Sequence, residues 1–245
     1  MLKNKKHNTH EEWLSAYRHA QLERDVERSE RLIEKAIARI PKGKSFFGWS
    51  GGKDAIALQV ICERAGIYDC VMGTIGERWE YPAFWSYVKQ NHPEGLVVKN
   101  KGITTEFMNN HEELVFPLTS TTSHRWSVLN FHSALYTFAE EKQADNIILG
   151  HRKLDGNNLS PKNGKTYPMF DFTHEDVFCI IACNDLRLAP IYDYLDGFHT
   201  GTGAWIMTTG EKAADEVYHN DKSVLYANRS VRKIDEYLKR KENGA

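Results

Sequence analysis

Apolar positions follow two rhythms along the chain. From Glu11 to Ile40 they recur at helical spacing, with Leu32, Ile33, Ala36, Ile37 and Ile40 on one face, and Pro41-Lys42-Gly43-Lys44 ends the run. Beyond it, short apolar runs alternate with amphipathic ones. Ser45–Trp49 reads as a strand and Asp54–Ala65 as the helix after it. Cys70–Thr74 is a second strand, Pro82–Asn91 a helix and Leu96–Lys99 a third strand. Val128–Lys142 reads as a helix and Asn146–Gly150 as a buried strand. Thr173, with Asp176 three positions on, is an N-cap pair opening a helix through Ala182. Asp215–Arg240 reads as a charged helical tail with Val224, Val231, Ile234 and Leu238 on its packed stripe. Short apolar strands alternating with helices predict an α/β fold, a doubly wound and mostly parallel sheet covered on both faces. The expected organisation is a helical extension over 1–41, an α/β domain over 42–210 and a helical tail over 211–245.

Composition narrows the picture only a little. A chain of 245 residues, 41% apolar and 27% charged, suits one sizeable globular domain with appendages. A net charge of −1 excludes a global polycation that holds nucleic acid non-specifically, and leaves local basic patches open. No apolar run approaches the roughly 20 residues of a membrane span. The basic N-terminus has no apolar stretch behind it, so a cytoplasmic protein without a membrane partner is expected. Cys62, Cys70, Cys179 and Cys183 form no C-x-x-C pair and read as buried small hydrophobes. Cys179 and Cys183 share a helix face but lack neighbours at ligand spacing, so no protein-held metal is expected.

Chemistry is concentrated where the first strand runs into Ser50-Gly51-Gly52-Lys53-Asp54 and then a helix. Such a junction aims backbone N–H groups and a helix N-terminus at one point, which makes an anion site. The glycines admit a phosphate without Cβ clashes, Lys53 brings a positive charge and Ser50 a hydroxyl. A Walker A loop fails on spacing: its first glycine would fall on Phe47, and the residue after the lysine is Asp54 rather than Ser or Thr. A tight turn without a ligand is the plain alternative.

Ser50-Gly51-Gly52-Lys53-Asp54-Ala55 resembles the SGGKDS signature of the PP-loop ATP pyrophosphatase superfamily, and within it the phosphoadenylyl-sulfate (PAPS) reductase-like branch. The resemblance runs from about Ser45 to Trp205. Thr74-Ile75-Gly76 with Glu80-Tyr81-Pro82 resembles the stretch after the family's second strand, and Arg125-Trp126 its arginine segment. Gly150-His151-Arg152-Lys153-Leu154-Asp155 resembles G-x-R-x-x-E. Tyr167-Pro168-Met169-Phe170-Asp171-Phe172-Thr173-His174-Glu175-Asp176-Val177-Phe178 resembles P-I-x-D-W-T-x-x-D-V-W, and Pro190-Ile191-Tyr192-Asp193 echoes the family's N-P-L-Y-D.

The resemblance implies an adenine nucleotide alpha hydrolase-like sheet with ATP or PAPS bound across the strand C-termini, accompanied by Mg²⁺. It implies nucleotide contacts from Ser50, Gly51, Gly52, Lys53, Asp54, Gly76, Glu80, Gly150 and Asp155. Lys53, Arg125 and Arg152 are its candidate catalytic residues, the arginines as forked clamps on phosphate or sulfate. The reaction expected is attack at the α-phosphorus, adenylyl transfer to an unidentified acceptor with pyrophosphate release. Its rivals are a sulfonucleotide reductase that borrows a partner's thiol and a non-catalytic nucleotide-binding subunit. The chain departs from the reductases in lacking any cysteine after Cys183 and in placing Trp126 and Ser127 where cluster-bearing relatives carry cysteines, so no iron–sulfur cluster is expected. Ala55 also replaces the usual serine. A homo-oligomer or a protein partner is left open. Further candidates are His124 and His151 near the cleft, the loop Gly197–Gly203, and the aromatic group Trp79, Tyr81, Phe84 and Trp85.

Overall fold

A computed structural model describes residue 2 and residues 8–74, 82–99, 110, 132–155, 164–193 and 197–200. The sheet has five strands: β1 (Ser45–Gly48), β2 (Cys70–Gly73), β3 (Leu96–Lys99), β4 (Asn146–Ile148) and β5 (Lys165–Thr166). They lie in the order β3-β2-β1-β4-β5, and every pairing is parallel. The α/β fold expected from the alternating runs is therefore the fold observed. From β1 the chain steps outward through β2 and β3, then returns to the other side of β1 for β4 and β5. The order reverses at β1, which makes the C-terminal ends of β1 and β4 the topological switch point, the place where open α/β sheets bind ligands.

Alternation along β1 sends neighbouring side chains to opposite faces. Phe46 packs on one side with Val71, Ile147 and Leu149 against α5 (Ser133–Lys142), its ring 5.0 Å from that of Phe138. Phe47 joins the larger core on the other side. That core is built by α1 (His10–Glu23), α2 (Val26–Ile37), α3 (Lys53–Arg64), α4 (Pro82–Asn91) and α6 (His174–Cys183). The short α7 (Gly197–Thr200) adds Phe198 to it. Trp13 of α1 is fully buried in this same core, so its packing runs continuously across residue 41.

The single N-terminal helix expected over Glu11–Ile40 is corrected to two. Arg24 ends α1 in the left-handed region at φ 43°, and Asp25 caps α2 by accepting from the Arg28 N–H at 2.9 Å. The corner is fastened by a forked pair from Arg24 to Asp185, at 2.7 and 3.0 Å. The predicted cap of α6 is present in full: Thr173 accepts from the Asp176 N–H at 3.1 Å, and Asp176 accepts from the Thr173 N–H at 2.8 Å. The charged tail read over Asp215–Arg240 and the first residues of the helix read over Val128–Lys142 lie outside the described residues. No described helix is long and apolar enough to cross a membrane.

Candidate functional site

β1 delivers the chain to the switch point through Trp49, whose indole N–H donates to Gln59 Oε1 at 3.1 Å. The backbone then turns through Ser50, Gly51 and Gly52 into α3. Gly51 sits at φ +66°, and a Cβ there would stand 2.9 Å from the Phe84 ring. Gly52 is the N-cap of α3, extended at φ −73° and ψ 155°, and supplies no side-chain hydrogen bond. The Ile56 N–H already bonds to the Gly52 carbonyl at 2.9 Å, and the Lys53 N–H donates to Tyr192 Oη at 2.9 Å. Among the described residues no N-cap side chain caps this three-turn helix, and the Asp54 and Ala55 amides lie at its positive end.

Directly behind those amides lies a buried circuit of charge and aromatic rings. Lys53 is 3% exposed, and its Nζ is 2.6 Å from Asp54 Oδ2 and 5.9 Å from the centre of the Trp13 ring. Asp54 Oδ1 is 2.9 Å from Arg152 Nε. Arg152, fully buried, sends its Nη1 to the Phe172 carbonyl at 3.2 Å and its Nη2 to His174 Nδ1 at 2.8 Å. His174, also fully buried, meets the Trp13 ring edge-on with centres 4.4 Å apart. Trp13 stacks flat on Phe198 at 5.1 Å, which closes the circuit from outside. Burial pushes the Asp54 carboxyl up, but Arg152 and Lys53 outweigh it and hold the carboxyl well below the usual carboxylate range.

The predicted residues thus divide. Ser50, Gly51, Gly52, Lys53 and Asp54 form the loop and first turn as one unit. Gly150 brings the exit of β4 against them: a Cβ there would stand 3.0 Å from the Asp54 carbonyl oxygen. Arg152, expected as a clamp on phosphate, turns its fork to Asp54, the Phe172 carbonyl and His174. Asp155 closes a short 3-10 turn, Lys153–Asp155. Gly76, Glu80, Arg125, His124, Trp79 and Tyr81 lie outside the described residues. His151 stacks on Tyr167 with ring centres 5.8 Å apart, and Phe84 packs under Gly51. Asp171 pairs with Lys35 of α2, at 2.8 Å, and with Arg39 just beyond that helix, at 2.6 and 2.9 Å.

Trp13, His174, Tyr192 and Phe198 were not singled out from the sequence. His174 and Tyr192 stood within the segments that resemble the family, so a signal was present there. Trp13 reaches the site from a helix 40 residues before Lys53, a contact no local pattern announces.

Among the described residues no group of three or more His, Cys, Asp and Glu side chains could hold a metal ion. Burial pushes the Cys70 and Cys179 thiols up to about 12 each, and Cys62 is pushed up as well. These thiols are poor thiolate donors at neutral pH.

No family model matches this chain, and no curated protein sequence does. Among the solved structures similar to it are the following two. Phosphoadenylyl-sulfate (PAPS) reductase from Candida auris, in a phosphate complex, is 16% identical over 68% of this chain and 85% of its own, with a TM-score of 0.49. The U34-tRNA thiolase NcsA from Methanococcus maripaludis, with its 4Fe-4S cluster, is 14% identical over 86% of this chain and 80% of its own, with a TM-score of 0.47.

Proposed function

We propose that this chain is a PP-loop protein that binds ATP, or a related adenylyl nucleotide such as PAPS, across the C-terminal ends of β1 and β4. The observation that carries this reading is the start of α3: glycine stands at its cap and supplies no side-chain hydrogen bond to the first turn, and the helix opens at the point where strand order reverses. The Asp54 and Ala55 N–H groups are suited to the nucleotide's phosphate oxygens, with Ser50 Oγ at the mouth of the loop. Lys53, Arg152 and, from the sequence resemblance, Arg125 supply positive potential around the same point. Gly76, Glu80 and Asp155 stay assigned to the nucleotide on the resemblance alone.

The reaction we assign is adenylyl transfer. An acceptor oxygen or nitrogen bonds to the α-phosphorus, the bond from that phosphorus to the bridging oxygen breaks, and pyrophosphate leaves. The chain's part is to orient the triphosphate on backbone dipoles that are fixed before the substrate arrives. Mg²⁺ would arrive on the phosphates and neutralise them, because both oxygens of Asp54, the carboxylate nearest the loop, are committed to cations. The high thiols of Cys62, Cys70 and Cys179 argue against a reductase that attacks with one of these cysteines.

The test is binding and turnover measured together. Protein with Mg²⁺ and ATP, and separately with PAPS, is followed for pyrophosphate, AMP and sulfite, beside a Lys53→Ala control. Pyrophosphate from ATP that is lost in the variant is the expected result. Sulfite from PAPS would replace adenylyl transfer by reduction with a partner's thiol. Binding of neither nucleotide would overturn the proposal.

A further inference from the structure

We infer that Arg152 and His174 are positioning residues, a relay that fixes Asp54 and through it the first turn of α3, and that neither contacts the nucleotide. The inference deepens the nucleotide-binding proposal and rests on it for its functional consequence.

The geometry gives each atom a defined role. A guanidinium has donors and no acceptor, so at 2.8 Å from Arg152 Nη2 the His174 Nδ1 atom must be the acceptor. The imidazole is therefore held with Nδ1 unprotonated. The same guanidinium donates to the Phe172 carbonyl at 3.2 Å, one residue before the cap of α6, so Arg152 is anchored twice on the entry to that helix. Its Nε then faces Asp54 Oδ1 at 2.9 Å. Two hydrogen bonds and an ion pair occupy the guanidinium, and Arg152 has no exposed surface to offer a phosphate.

What the relay accomplishes follows from where Asp54 stands. It is the second residue of α3, and its own N–H is one of the two amides aimed at the anion. Fixing its side chain on Arg152 fixes that peptide unit. Its other oxygen keeps the Lys53 ammonium beside the Trp13 ring. The amides are thereby ordered before the ligand arrives, which removes an ordering cost from binding. The family resemblance implies Arg152 as a clamp on phosphate, because a guanidinium can hold phosphate or sulfate oxygens bidentately. Here the clamp acts on a carboxylate, and the helix start is what touches the anion.

Two substitutions of His174 separate positioning from packing. His174→Asn keeps an acceptor oxygen near the place of Nδ1 but discards the ring against Trp13. His174→Phe keeps a ring and discards the acceptor. Two quantities are read: hydrogen–deuterium exchange of the segment Lys53–Leu58 in the unliganded protein, and the Kd for MgATP by calorimetry. The relay requires that the Asn variant stay within about twofold of wild type in Kd with slow exchange in α3, and that the Phe variant lose about tenfold with fast exchange. The reverse order, Phe near wild type and Asn impaired, would assign His174 to packing and overturn the relay. Equal exchange in all three proteins would overturn it as well. If wild type bound no MgATP while exchange still ranked wild type and Asn as slow and Phe as fast, the relay would stand and the nucleotide proposal would fall.

Discussion

At φ +66° Gly51 holds a conformation that L side chains rarely adopt, and the Phe84 ring fills the space a Cβ would need. Gly51→Ala should therefore lower the unfolding free energy by about 1–3 kcal/mol, the left-handed strain and the ring displacement together. Urea denaturation reads this directly, and an unchanged midpoint would mean that the loop relaxes at no cost. Asp54 makes a prediction of a different kind. Its carboxyl lies well below the ordinary value of 3.8 in the folded chain, so near pH 4 the unfolded chain binds the proton more readily. The stability it contributes is present above about pH 4 and is lost as pH falls further toward its folded value. We expect wild type to exceed Asp54→Asn in unfolding free energy at pH 7, with the gap narrowing below about pH 4. A gap that stays constant down to pH 3 would place the effect of the substitution elsewhere. Both residues were legible as part of a loop, because glycine pairs and a lysine after a strand form a local pattern. The partners of Asp54 were not, since Arg152 lies about a hundred residues further along the chain.

Elements read well where their signals are local. The spans Pro82–Asn91 and Leu96–Lys99 appear as expected, and the Thr173 cap starts α6 where its side chain predicts. The break between α1 and α2 was missed because helical periodicity resumes after the corner and dominates the reading, although Asp25 is a good capping residue. β5 was missed because Lys165-Thr166 is too short and too polar to carry an apolar signal, and it exists through its pairing with Ile147 and Ile148. The most consequential element is α1, part of the helical extension expected over 1–41, which supplies Trp13 to the core beside Lys53. Trp13→Ala should cost about 3–5 kcal/mol, as large-to-small changes at fully buried aromatic positions do. Trp13→Phe should restore most of that stability, since it keeps a ring on Phe198. Equilibrium denaturation of both variants checks this, and an alanine variant within 1 kcal/mol of wild type would show that α1 is dispensable to the core.

For the whole molecule, strand order determines where the site is. The reversal at β1 sets the exits of β1 and β4 side by side, and α1 and α6 close the space behind them, so a ligand at the loop touches a region tied to nearly every layer. Sequence alternation made the parallel sheet legible, but the order of its strands depends on long-range pairing that no single stretch encodes. Binding at such a place should stabilise the entire cooperative unit. MgATP at about 100 times its Kd should add about 2.7 kcal/mol to unfolding. For a chain of this size that corresponds to a rise in Tm of roughly 5–11 °C. The discriminating variant is Gly52→Asp. Gly52 has extended backbone that an aspartate can adopt, and its carboxylate would cap α3 by accepting from the first-turn amides. The unliganded protein should then be as stable as wild type or more so by a few tenths of a kcal/mol. The same carboxylate would occupy and repel the phosphate position, so MgATP should no longer raise Tm. A variant that keeps both its Tm and its full nucleotide shift would mean that the phosphates bind elsewhere than on the amides of α3.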